Sequence, residues 1–475
     1  MHLTLATLAA AAALVALVAL AVAAALRLVA WRAKQRRQLR RAAGAPIVVG
    51  VFHPYCNAGG GGERVLWFAL QATQGGEPDL VIRVFAARSS GDKDSILRKA
   101  RERFGVTGLD AERIEFVFLD KERLLEAEAY PRLTLVGQSL GSVLVGAEAL
   151  GKCCPDVYLD TMGYAFTYPL AWLRGCVVAS YTHYPTISTD MLRRVYERRP
   201  AYNNDELISG SIISSRLKYV YYQAFRVLYY IVGQFADITM VNSSWTKGHI
   251  DSLWGTRAAV VFPPCDTGEL IRSRRRAKRR VIVSLGQFRP EKDHRLQILA
   301  LSALQTSLGE RGAVPKLVLF GSCRDAADEA RIDELRRFAE KCGVAASVDF
   351  RVNVPFAELK EALSEALMGV HTMWNEHFGI APVEMMAAGV ILVAHNSGGP
   401  RLDIVEHGVT GFLASSADEY AEVFARVLDL YDNHGGDDCE DLHEMRAAAE
   451  RSVARFSQEN FVLAFVKAMH PATKL

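Results

Sequence analysis

Glu376 and Glu384 bracket the run Asn375-Glu376-His377-Phe378-Gly379-Ile380-Ala381-Pro382-Val383-Glu384. A carboxylate accepts paired hydrogen bonds from vicinal hydroxyls, as on a sugar or a ribose. Pro382 suits a first helical turn, which puts Glu376 on a loop and Glu384 early in a helix. Wound as a single helix, the two carboxylates would stand about 80° and about 12 Å apart. That is too far for a shared proton but fits two hydroxyl pairs on one extended ligand. The N–H groups of Phe378, Gly379 and Ile380 lie between them and suit a diphosphate. Solvated acids at a helix start are the plainer alternative.

Three further groups could serve the same chemistry. Gly286-Gln287-Phe288-Arg289-Pro290-Glu291-Lys292 supplies Arg289 and Lys292, two cations able to neutralise a leaving phosphate. Surface bases paired with Glu291 are the alternative there. Gly59-Gly60-Gly61-Gly62-Glu63-Arg64 has no Cβ atoms over four positions and precedes a helix. Gly60, Gly61 and Gly62 therefore allow a phosphate or sugar to approach the backbone. The run is neither a Walker loop nor a clean G-x-G-x-x-G. His183, in Tyr181-Thr182-His183-Tyr184-Pro185, sits at the expected end of a strand, where it can hydrogen-bond a sugar or phosphate. Two other matches carry less. Gly137-Gln138-Ser139-Leu140-Gly141 fits a nucleophile elbow, which would make Ser139 a hydrolase serine, but no H-G-G-G partner motif is present. Asp92-Lys93-Asp94 fits a metal-binding D-x-D, yet its Ser/Gly-rich setting reads better as a helix cap. No constellation requires a metal.

The elements that must position these residues follow from the alternation of short β-branched runs with helical stretches. Strands are expected at Ile47–Val51, Leu80–Phe85, Ile114–Phe118, Leu133–Val136, Val177–Ser180, Ile238–Val241 and Val260–Phe262. A second set runs Val281–Leu285, Lys316–Phe320, Val348–Phe350, Gly369–Met373 and Val390–Ala394. Such alternation implies parallel sheets covered on both faces. Pro263 and Pro264 mark a hinge, so the chain reads as two Rossmann-like units, 46–262 and 263–475, with ligands at the carboxyl ends of the strands in the cleft between them. The basic run 272–280 reads as an exposed connector.

The composition is that of a core-forming protein, 50% hydrophobic and 23% charged over 475 residues. The net charge of +3 is uneven. Residues 27–41 hold seven bases and no acid, and 272–280 hold seven more. The remaining 42 bases face 53 acids, which argues against a nucleic-acid-binding surface. Eight cysteines without a C-x-x-C pair suggest reduced thiols rather than a disulfide framework or a zinc site. From Leu3 to Leu26 no residue is charged. As a helix this stretch spans about 36 Å, enough for a hydrocarbon core of about 30 Å. We therefore expect a transmembrane anchor over 1–31 and a basic juxtamembrane linker over 32–45, with a cleaved leader as the alternative. Bases directly after the span place the rest of the chain on the cytosolic side. The segment Ile212–Phe235 is rich in tyrosine and carries Arg216, Lys218 and Arg226. It reads either as a buried packing helix or as a helix docked on the bilayer.

Together, the Glu376/Glu384 pair, the Arg289/Lys292 segment and the glycine loop resemble the retaining GT-B glycosyltransferases of family four. Val51–Ala58, Tyr181–Ser188, Gln287–His294 and Asn375–Glu384 resemble, within it, the lipid-linked-oligosaccharide α-1,2-mannosyltransferases of asparagine-linked glycosylation. The resemblance runs from about Ile47 to the 450s. It implies GDP-mannose as donor, dolichol-pyrophosphate-linked trimannosyl chitobiose as acceptor and two α-1,2 additions with retention. It also implies residence at the endoplasmic reticulum membrane, other mannosyltransferases as neighbours, and neither a metal nor a nucleic-acid partner. By the same resemblance Glu376 and His183 meet the donor mannose, Glu384 the ribose, and Arg289 and Lys292 the diphosphate. Gly60, Gly61 and Gly62 line the donor–acceptor junction. Gln287 departs from the pattern, since many members carry a base there. A sibling transferase using another sugar nucleotide is the alternative.

Overall fold

Ile47–Phe52 (β1) is buried at all six positions, as a strand covered on both faces must be. It lies near the middle of a parallel sheet with Leu80–Ala87 (β2), Ile114–Leu119 (β3), Val157–Asp160 (β4), Val177–Thr182 (β5), Ile238–Val241 (β6) and Ala259–Val260 (β7), in the order β3-β2-β1-β4-β5-β6-β7. A second parallel sheet holds Arg279–Leu285 (β8), Lys316–Gly321 (β9), Val348–Val352 (β10), Ala366–His371 (β11), Ile391–His395 (β12) and Phe412–Ala414 (β13), ordered β10-β9-β8-β11-β12-β13. These are the two Rossmann-like units expected. The computed structural model describes residues 24–76, 79–191, 212–272, 278–309, 313–434 and 436–473.

Each sheet reverses strand order beside its first strand: between β1 and β4, and between β8 and β11. At such a switch point successive loops diverge to opposite faces and leave a crevice. The glycine loop follows β1, and the loops carrying Lys292 and Glu376 follow β8 and β11. The topology thus delivers all three to crevices at the carboxyl edges.

Several expectations need correction. Leu133–Val136 is not a strand. Leu133 has φ 54° and leads into the helix Thr134–Lys152. The strand in that place is Val157–Asp160, whose terminal aspartate and mere four residues hid it, although all four are buried. Phe412–Ala414 was likewise too short to read. Ser139 lies within the Thr134–Lys152 helix, and its Oγ donates to Leu135 O at 2.6 Å, so it is no nucleophile elbow. The flanking glycines serve packing instead: a Cβ on Gly141 would lie 2.0 Å from Leu124 O. The basic run is not wholly an exposed connector. Lys278 is 6% exposed and donates to Ser364 O and Ala388 O, at 2.8 and 3.2 Å, while Arg279 and Arg280 begin β8. Residues 273–277 lie outside the described residues. Asp92 is the helix cap expected, accepting from Ser95 N at 2.9 Å.

The anchor expected over 1–31 falls mostly outside the described residues. Among those described, no helix is long and apolar enough to cross a membrane. A helix runs from residue 24 to residue 42, through the end of the expected anchor and most of the expected linker. Its Arg37 reaches Asp156 O at 2.7 Å, and Gly175 packs against the backbone of Ala33 and Lys34. The helix Ile212–Gly233 is two-sided. Tyr222, Phe225 and Tyr229 are buried in the first unit's core, whereas Val220, Val227 and Ile231 are exposed.

The chain crosses between units twice. Cys265 N donates to Phe456 O at 2.9 Å, so the outgoing and returning segments run side by side. Phe262, Phe378 and Phe456 form a ring cluster there, with centroids 5.0 to 5.7 Å apart. The last helix, Gln458–Thr473, then packs Phe461, Phe465 and Met469 into the first unit's core, against the helix Gly61–Gly76 and strands β5 and β6. The 263–475 segment therefore does not stay within one unit.

Candidate active site

β11 ends at His371, and residues 372–379 form the loop that carries Glu376. Asn375 has φ 52°, a left-handed turn for which asparagine is suited. Gly379, at φ 114°, then starts the helix Ile380–Ala387. Glu376 therefore sits on the loop and Glu384 in the helix, as expected.

Lys292 Nζ lies 2.5 Å from Glu376 Oε2 and 3.2 Å from Met373 Sδ. Both charged side chains are mostly enclosed, 22% and 13% exposed. His371 Nε2 stands 3.2 Å from the same oxygen, without the alignment of a hydrogen bond. Burial pushes the Glu376 carboxyl up, but Lys292 and His371 outweigh it and hold it well below the usual carboxylate range. Thr372 fastens the two loops. Its hydroxyl lies 2.9 and 3.0 Å from the carbonyls of Lys292 and Asp293 and accepts from Gln297 Nε2 at 2.9 Å. Arg289 is not brought to this pair. Its Nη1 leans toward Glu291 Oε1 at 3.8 Å, the alternative the sequence left open, and its Nε is buried without a partner.

Glu384 meets a residue of the other unit: Arg64 Nη1 donates to its Oε1 at 3.4 Å. Burial raises the Glu384 carboxyl, and Arg64 opposes the rise. The glycine loop closes the cleft beside this contact. A Cβ on Gly61 would lie 3.0 Å from Ile380 Cδ1, and one on Gly62 3.7 Å from His183 Nε2. Gly60 N donates to Glu63, whose other oxygen is 3.5 Å from His53 Nε2, and His53 Nδ1 is 2.7 Å from Thr161 Oγ1. This chain bolts the loop after β1 to the loop after β4. His183 Nε2 is buried without a hydrogen-bond partner, and burial lowers this histidine to about 4, so it is neutral at pH 7.

The two units also touch directly. Tyr184 stacks on His377, ring centroids 4.2 Å apart, and Trp245 lies 5.3 Å from the same ring. Asn375 Nδ2 donates to Asp190 Oδ2 at 2.7 Å. Phe378 is 2% exposed and belongs to the crossing cluster, so only its backbone can face a ligand.

Against known proteins, residues 46–254 match the model described as ALG11 mannosyltransferase N-terminus, and residues 268–451 match Glycosyl transferases group 1. The chain is 46% identical to the Homo sapiens GDP-Man:Man(3)GlcNAc(2)-PP-Dol alpha-1,2-mannosyltransferase, over 94% of this chain and 92% of that one. It is 42% identical to the protein of the same name from Dictyostelium discoideum, over 90% and 85%. The chain belongs to this mannosyltransferase family. Solved structures show the same two-unit GT-B fold at low identity. Anabaena Alr3699/HepE in complex with UDP and glucose aligns with TM-score 0.60 at 15% identity, over 90% of this chain and 99% of that one. Sucrose-phosphate synthase from Thermosynechococcus elongatus aligns at 0.63 and 16%, over the same shares.

For a member of this mannosyltransferase family, the structure gathers Glu376, Lys292, Glu384, Gly60, Gly61, Gly62, His183, Gly379 and Ile380 about one cleft. Sequence reasoning missed Arg64, His53, Thr161, His371 and the Ser397-Gly398-Gly399 turn. Arg64 stood in the glycine-loop run but was given no role. The turn after β12 is required because a Cβ on Gly399 would lie 2.4 Å from Phe378 O. Ser397 Oγ accepts from Asn375 N at 2.7 Å, and Gly399 N donates to Glu376 O at 2.7 Å. A Gly-Gly pair after a strand was the available signal.

Proposed function

We propose that this chain transfers mannose from GDP-mannose, in α-1,2 linkage, onto dolichol-pyrophosphate-linked trimannosyl chitobiose, in two successive additions with retention of the α-configuration. The observation that carries it is the Lys292–Glu376 pair set in one cleft with Glu384, in a member of this family. Glu376, held ionised, takes hydroxyls of the donor mannose, and Glu384 takes those of the ribose. Lys292 and the N-terminus of the Ile380–Ala387 helix face the diphosphate and stabilise the charge that grows as the bond from mannose C1 to phosphate oxygen breaks. The acceptor 2-hydroxyl oxygen bonds C1 from the same face, and its proton goes to a leaving phosphate oxygen, so no protein base is needed. His183, neutral and with its Nε2 free of a hydrogen-bond partner, hydrogen-bonds the sugar. The protein contributes position and charge, not a covalent intermediate.

The test is transfer by the purified, detergent-solubilised chain from labelled GDP-mannose to a dolichol-pyrophosphate trimannosyl chitobiose analogue, with and without EDTA. An α-1,2-mannosidase-sensitive product that survives EDTA is the expected result. No transfer from a folded chain, or transfer from another sugar nucleotide in preference, would overturn the reading.

The same reading places the chain at the endoplasmic reticulum membrane, held by its N-terminal apolar segment with the two units cytosolic. Leu140 and Leu144 on one helix and Val220 and Val227 on another are exposed, and Val136 N donates to Tyr221 Oη between those helices. Arg216 and Arg226 are exposed on the second helix. An apolar face edged by bases suits a bilayer surface.

A further inference from the structure

Arg64 lies in the first turn of the helix Gly61–Gly76 and reaches across the cleft to Glu384. The two side chains are 12% and 17% exposed. The bond uses one of the guanidinium's five N–H groups and one of the carboxylate's about four acceptor sites. Glu384 therefore keeps capacity for two vicinal hydroxyls with Arg64 in place. Among the described residues the guanidinium has no second partner.

Asp266 acts on Glu384 as a like charge, but the helix ends around the guanidinium favour an anion at its free N–H groups. Two helix N-termini meet here, since the start of Gly61–Gly76 abuts Ile380, which opens Ile380–Ala387. Both point their positive ends toward the junction. On the second unit's side the diphosphate is assigned to Lys292, itself paired with Glu376, while Arg289 leans toward Glu291 and position 287 is a neutral glutamine. A ribose held at Glu384 carries its diphosphate a few bonds away, within reach of a guanidinium anchored on that same carboxylate. Arginine suits this task because its planar fork can serve a carboxylate and a phosphate at once.

We propose that Arg64 is a donor-binding residue that grips the diphosphate of the sugar nucleotide from the first unit while orienting Glu384, so that the donor itself ties the two units together. This rests on the donor-site layout given under Proposed function.

Calorimetric titration of the full-length solubilised chain with GDP and with guanosine separates the two roles of Arg64. Arg64→Gln should weaken GDP about 10- to 100-fold, the loss typical of a charge-assisted contact, and guanosine far less. The salt dependence of GDP binding should become shallower. Arg64→Lys, which keeps the charge, should lie between, and it carries the test if the glutamine variant does not fold. Equal weakening of GDP and guanosine would show that Arg64 acts only through Glu384 and would overturn the proposal. So would unchanged or tighter GDP binding. Glu384→Gln reports on the layout separately: it should weaken guanosine, and if it does not, the ribose assignment fails whatever Arg64 does.

Discussion

The carboxylate–ammonium pair at Glu376 and Lys292 is enclosed, so each charge depends on the other. Lys292→Ala removes the cation facing the leaving diphosphate. We expect kcat to fall by about 10²- to 10³-fold, as for loss of a charge-stabilising group, with donor KM changed little. Glu384→Ala should do the reverse, raising donor KM with a smaller effect on kcat. Steady-state kinetics of both variants decide this, and equal effects would sink the division of roles. Titration gives a second expectation. Burial lowers His183 and His377 to about 4, and His294 further still, from 6.5. The native state therefore refuses protons that the unfolded chain accepts below pH 6.5, and stability falls as pH drops from there toward 4. Asp160, raised by burial from 3.8 to about 6, works in the opposite sense over part of that window. His371 and His395 are also lowered by burial, while Glu384, Asp293 and Asp403 are raised by it, so the lowered histidines outnumber the raised carboxyls and the net direction is a loss toward acid. Glu376, held low, adds to the loss once pH falls below 4.5, its unfolded value. Thermal midpoints measured from pH 7 to pH 4.5 should decline steadily; a rise toward acid would mean that buried carboxyls dominate.

Among the elements, the Ser397-Gly398-Gly399 turn after β12 holds the Glu376 loop by contacts that leave no space. A Cβ on Gly399 would lie within 2.4 to 2.9 Å of backbone atoms of His377 and Phe378, which cannot swing aside. Gly399→Ala should therefore displace Glu376, lowering kcat by about 10²-fold and stability by about 1–3 kcal/mol. Kinetics and denaturant unfolding of the one variant read both effects. Normal kcat in this variant would show that the turn does not position the loop. This support was not legible beforehand, because a glycine's reason lies in its spatial neighbour and not in its sequence neighbours. The G-x-S-x-G run teaches the same lesson in reverse. It matched a catalytic pattern only by type, and its glycines instead let the helix approach Leu124 and Tyr130. Glu376, Glu384 and Lys292 were legible because strand, loop and helix succeed one another locally. Arg289 was not separable from Lys292, since three residues decide which of two bases faces the cleft.

For the whole molecule, the returning helix Gln458–Thr473 joins the two units into one folding problem. Phe465 is 1% exposed in the first unit's core, on a helix packed against Gly61–Gly76, β5 and β6, although it follows the second unit in the chain. Phe465→Ala should cost about 3–5 kcal/mol, and the loss should appear in the first unit. Hydrogen exchange would show it as lost protection in the helix Gly61–Gly76 and in β5 and β6, with β8 and β11 spared; the opposite pattern would mean that the crossing carries no such load. The sequence by itself determined the two parallel sheets, the crossing between the units near Pro263, the family's motifs and the loop–helix placement of the two carboxylates. All of these depend on local periodicity and short spacing. Only the tertiary structure decided that Arg64 meets Glu384, that His53 bolts the glycine loop to Thr161, that Lys278 is buried, and that the last helix returns to the first core. Those contacts join residues 86 to 320 positions apart, or bring opposite ends of the chain together. Such pairings are settled by which surfaces can be buried together, and no local pattern encodes that.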